Sequence, residues 1–228
     1  MTDDSIRPVP GRPNIYHGIH KGLRLGHARL LERIGATDFA DAEAAAATVA
    51  AVREFLTLAH GHLETEETII HPAIEARDPA ATAHAHEGHE DHERAFDDLE
   101  ALLRNVGSPD AGRALYLRYA RFAAADLLHM EGEETELLGI LHRLFTDDEI
   151  RAIEGRIVGA IDPAKMMGYL RLIVPALNPV ERIGMLTGMR DAMPPSAFAA
   201  IMEGAVRAAL SPAEAAAVEA GLGLRRAA

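Results

Sequence analysis

Apolar residues recur at helical spacing in four long runs, and breaker residues separate the runs. The first run covers about residues 15–35, with Pro13 before it and the stretch GATD after it. The second extends from about Asp41 to Ala76 and stops at Asp78 and Pro79. The third spans about Ala80 to Val106 and ends at GSPD, where Pro109 opens a fourth that continues to about Phe145. Three short connections imply antiparallel neighbours, so residues 1–145 are expected to fold as an up-down-up-down four-helix bundle. From Thr146 the runs shorten. TDDE at 146–149 and SPAE at 211–214 read as capping boxes, while Pro163 and Pro179 sit at first helical positions. Residues 146–228 are therefore expected to form a smaller all-helical C-terminal unit.

Composition supports an all-α chain. Ala and Leu dominate, aromatic residues make up only 4% of 228, and no stretch alternates β-branched residues. With no Cys, any bound metal must be held by His, Asp or Glu. A net charge of −12 disfavours nucleic acid as a partner. The N-terminus has no apolar leader and no segment offers about 18 uncharged apolar residues, so a cytoplasmic chain with no membrane contact is expected. Six of the eight Met residues (Met166, Met167, Met185, Met189, Met193 and Met202) lie in the C-terminal unit. They suit core filling, and otherwise an adaptable surface for a protein partner or self-association. No catalytic motif is found after residue 145.

The histidines change the picture. All 12 lie at or before His142. HLETEETIIHPAI at 62–74 and HMEGEETELLGIL at 129–141 superpose without a gap, matching His62 with His129, Glu66 with Glu133, Glu67 with Glu134 and Thr68 with Thr135. Residues four apart share a helix face, so each His and its Glu aim at one point. Phe55, Leu58, Ile69 and Ala73 extend the first stripe, and Phe122, Ala125 and Ile140 the second, which turns both pairs towards the bundle interior. Burying these groups uncompensated costs several kcal/mol per charge, and a bound cation compensates directly. The first helix adds an inward stripe of His20, Leu23, His27, Leu30 or Leu31, and Ile34. On the third, both His89 and His92 share a face with Phe96, Leu99 and Leu103, and counting from the turns leaves both open as ligands. His17, His60, His71, His84, His86 and His142 fall off that face or beyond that level, and read as ordinary histidines. HEGH and HEDH are one residue short of the zinc-protease HExxH, and ExxH does not occur.

The pattern H, HxxxE, H, HxxxE over about residues 14–145 resembles the hemerythrin-like, or HHE cation-binding, domain. The resemblance implies a non-haem di-iron centre, oxo- or hydroxo-bridged, that binds or reacts with O2, NO or peroxide in an oxygen, redox or NO response. It further implies Glu66 and Glu133 as bridges, with His20, His62, His89 or His92, and His129 as terminal ligands. The chain departs from the oxygen carriers of that family, which have HxxxH on the third helix and a His followed five residues later by Asp on the fourth. A carboxylate-richer set favours oxidised irons over reversible oxygen carriage. The rival readings are a helical module whose structural metal is zinc or a single iron, an iron-storage role, and an enzyme with peroxidase-like or NO-handling turnover.

Overall fold

The computed structural model describes residues 7–224. The reading of residues 1–13 as lacking an apolar leader lies partly outside them, at residues 1–6. Asn14 Oδ1 accepts the N–H groups of Tyr16 and His17 and starts α1 (His17–Ala36). Asp41 caps α2 (Ala42–Thr65) through the N–H groups of Glu43 and Ala44. A π-helical turn (Glu66–Ile70) carries the helix on into α3 (His71–Glu75). After a turn containing Pro79 come α4 (Ala83–Leu103) and then α5 (Pro109–Gly132), capped by Ser108 with Pro109 in its first turn. A second π-helical turn (Glu133–Leu137) leads into α6 (Leu138–Leu144). The chain continues as α7 (Asp147–Ala160), α8 (Pro163–Ala176), α9 (Pro179–Ala192), α10 (Pro195–Ile201) and α11 (Pro212–Gly221). The expected capping boxes form, Thr146 with Glu149 and Ser211 with Glu214. Among the described residues there is no strand, and no helix is long and apolar enough to cross a membrane.

Side-chain pairs give the bundle its register. Between α2 and α4, Arg53 meets Glu100, His60 meets Glu93 and Glu67 meets His86, seven residues up on one helix for seven down on the other. Seven residues are close to two helical turns, so the two helices run antiparallel with one face held together throughout. Arg33 with Thr48 and Gly26 against the Phe55 ring give the same relation between α1 and α2. Arg118 with Asp98 and Asp126 with His92 show that α4 and α5 also run antiparallel, with one pair high and one low on the same face. His27 closes the ring by reaching Tyr119 and Asp126 from α1 to α5.

The π-helical turns correct the expected core. Such a turn holds one extra residue, so every later side chain moves one place around the face. In the first repeat Ile70 and Ile74 are therefore buried, where unbroken α-helix periodicity selects Ile69 and Ala73. On α5 the stripe runs Leu115, Tyr119, Phe122, Asp126, Met130, so Asp126 is buried and Ala125 exposed. Pro72 follows the first turn, yet Gly139 holds the matching place after the second, so proline is not needed to make it. Both repeats share Thr68 and Thr135, whose hydroxyls donate to the carbonyls of Glu64 and Glu131, four residues back. That back-bonding loosens a helical ladder locally.

Contacts divide the chain into two compact units. One contains Gly26–Ala160 and the residues up to His17; the other contains Gly18–Leu25 and the residues from Ile161 on. The division falls after α7, one helix later than the expected change at 145–146, because Ile150 and Ile153 join Tyr16, Ile70, Ile74 and Leu141 in one core. Arg12 pins the start of α7 by pairing with Asp147 at 2.6 Å and donating to the carbonyls of His142 and Phe145. In the second unit Leu170, Val174, Leu186, Phe198 and Val206 form the core. Met202 is buried in it and the other five C-terminal Met residues pack against it, so they fill a core. Arg182 is buried there and donates to the carbonyls of Val174 and Leu177 at the end of α8.

Candidate metal centre

The two repeats present their ligating groups almost identically. His62 Nε2 lies 3.2 Å from Glu66 Oε1, and His129 Nε2 lies 3.3 Å from Glu133 Oε1. Each Glu opens a π-helical turn, and both are buried, at 1% and 3% exposure. His20, His62, Glu66 and Glu133 offer donor atoms that all lie within 4.8 Å of one another. Glu66, His89, His129 and Glu133 do the same, so the two groups share both glutamates. Donors bound at about 2.1 Å to one ion stand at most about 4.2 Å apart, so small side-chain rotations suffice to close either group on a cation. His20 stands on α1, which crosses the division between the units as one unbroken helix.

The buried nitrogens fit a cation. His89 Nε2 faces Glu66 Oε2 at 3.4 Å and Glu133 Oε1 at 3.8 Å, yet it makes no hydrogen bond among the described residues, and neither does His129 Nε2. Ring nitrogens of this kind, facing carboxylates at 3.3–3.8 Å, take either a proton or a metal ion between the two groups. Burial disfavours the His89 imidazolium, but Glu133, Glu66 and Glu67 outweigh it and push the ring up to about 10. Burial and Glu66 disfavour the Glu133 carboxylate, and His129 and His89 overcome both to keep it ionised.

Neighbouring residues hold the ligands in place. Glu67 Oε1 lies 2.5 Å from His89 Nδ1, which turns the other ring nitrogen towards the shared glutamates. Helix periodicity sends Glu67 away from the interior; the π-helical turn keeps it within reach of α4. Gly88 gives His129 room, since a Cβ there would lie 2.6 Å from His129 Nδ1. Tyr16 is fully buried, and burial together with the charges of Glu133 and Glu66 keeps its phenol protonated.

His92, open as a ligand from the sequence, stands outside both donor groups. Its Nε2 meets Asp126 Oδ1 at 3.1 Å, its Nδ1 lies 2.7 Å from the Gly88 carbonyl, and its ring lies 4.8 Å from that of His129. Asp126 also takes His27 Nε2 at 2.7 Å, and His27 Nδ1 lies 3.1 Å from the Tyr119 hydroxyl. Burial works against the Asp126 carboxylate, but His27 and His92 hold it well below the usual range. Sequence reasoning missed Asp126 and Tyr119. The signal was present, because Leu115, Tyr119, Phe122, Asp126, His129 and Glu133 follow one another at steps of three and four.

A bundle that gathers histidines from all four long helices around two buried glutamates defines a metal-binding helical protein. The family model described as the hemerythrin HHE cation-binding domain matches residues 15–141. That is more than half of the chain, and the protein belongs to this family. The comparisons with curated proteins and with solved structures returned no match.

Proposed function

We propose that the bundle holds two non-haem irons that bind or react with a small ligand, namely O2, NO or peroxide. His20 and His62 would hold one ion and His89 and His129 the other, with Glu66 and Glu133 available to both. The observation that carries this reading is the sharing of both glutamates by the two donor groups. Two buried carboxylates side by side repel one another and cost several kcal/mol each to bury, whereas two cations neutralise them in place. A pair of irons would supply an open coordination position and a change of oxidation state.

The chain's own residues do the rest. Glu67 orients the His89 ring, and Tyr16 keeps a phenolic proton beside the shared carboxylates. A cleft of about 60 Å³, lined by Ala81, Ala85, Leu128, His129, Glu133 and Leu137, leads to one side of the site. The cleft has room for a small ligand beside His129 and Glu133.

Metal analysis with a visible spectrum tests the reading. Two irons per chain, with bands of a coupled ferric pair in the oxidised protein and new bands when NO is added to the reduced protein, are expected. One zinc per chain and no visible band would instead support a module whose metal only fixes the fold.

A further inference from the structure

One more set of donors converges outside the paired groups. Glu67, His71 and His86 offer ligand atoms within 4.8 Å of one another. His71 is fully buried, and neither of its ring nitrogens has a hydrogen-bond partner among the described residues. Its Nδ1 stands 3.6 Å from Glu67 Oε1, and its ring stacks on His89 and meets His86 edge-on, with centroids 5.0 and 4.8 Å apart. A buried polar group left unsatisfied costs about 1–3 kcal/mol, so an imidazole here needs a reason. The second repeat has none, because Leu138 occupies the position matching His71.

The outer side of this set is open. Glu67, His86 and Glu75 are half-buried, with His86 Nδ1 2.9 Å from Glu67 Oε1 and His86 Nε2 2.6 Å from Glu75 Oε1. Glu75 also accepts the Thr82 hydroxyl at 2.5 Å, so the carboxylate that steadies the far nitrogen of His86 is itself held. Metal-ligating histidines commonly have such a carboxylate behind them.

We infer that Glu67, His71 and His86 form a third cation site, suited to a divalent transition ion such as zinc or ferrous iron. Two imidazoles and one carboxylate match the preferences of these ions and leave positions for water. His71 forms the buried floor, and the two half-buried residues give access from solution. The site uses neither shared glutamate and none of the four histidines around them, and it meets the paired centre through Glu67, whose Oε1 also lies 2.5 Å from His89 Nδ1.

Zinc per chain is the measurement. Metal-free protein is saturated with Zn2+, passed through a desalting column and analysed, for the wild type, His86→Ala and His84→Ala. His84 has an 89% exposed side chain and serves as the control. His86→Ala is expected to hold one zinc fewer than the wild type, and His84→Ala the same number as the wild type. Equal counts in wild type and His86→Ala overturn the inference, as does an equal loss in His84→Ala. The number retained by His86→Ala tests the paired site separately: two are expected, and fewer would count against the pair while leaving the difference of one intact.

Discussion

Glu66 and Glu133 are the residues on which the account depends. Glu66→Ala and Glu133→Ala are each expected to remove most of the metal, because each strips a donor from both groups. At the paired site Glu67→Gln should act more mildly, lowering affinity by about 10- to 100-fold through a misoriented His89. Equal losses from all three, read as metal per chain and dissociation constant, would contradict the separation of bridges from support. Gly88→Ala is expected to displace His129 and weaken binding, whereas Gly132→Ala has open space for its Cβ and should bind normally. Protonation adds a pH dependence. His89 titrates at about 10 in the metal-free fold against 6.5 ordinarily. Its contribution to the metal-free fold is therefore complete below about pH 6.5 and is lost as pH rises through about 10. A metal must displace that proton, so affinity should rise up to about tenfold per pH unit across the window. A flat affinity profile between pH 6 and 9 would contradict this.

At the scale of elements, the four long helices, their ends and the inward histidines were legible in the sequence, because caps, prolines and apolar spacing act locally. The π-helical turns were not. Nothing in EETII or EETEL departs from helix-forming composition, and one extra residue per turn is enough to alter which side chains point inward. That shift hid His71: five residues after Glu66, an unbroken α-helix would put it about 140° away around the axis. It also hid Glu67 as a partner of His89. Asp126 was hidden differently, since a carboxylate inside an apolar stripe draws notice only once its partners His27 and His92 are known. Removing it leaves two buried imidazoles without their acceptor. Asp126→Ala is therefore expected to destabilise the fold by about 3 kcal/mol, measured by denaturant unfolding, and a loss under about 1 kcal/mol would make the network dispensable.

Over the whole molecule, the metal-binding layer lies in the bundle helices, whereas α8–α11 build a core of Leu, Val, Phe and Met with no such layer. Stripping the metal is expected to speed hydrogen exchange through α1–α7 and to leave α8–α11 protected. The helix α7 should loosen with the bundle, because Ile150 and Ile153 belong to its core and Arg12 and Arg77 tie its first turn to the preceding segment. Uniform loosening along the chain would mean a single cooperative body. The central claim is that two ions share Glu66 and Glu133, and X-ray absorption at the iron edge tests it most directly. A metal neighbour within about 4 Å of each iron is the predicted result. Iron coordinated by nitrogen and oxygen with no metal neighbour at that distance would contradict it.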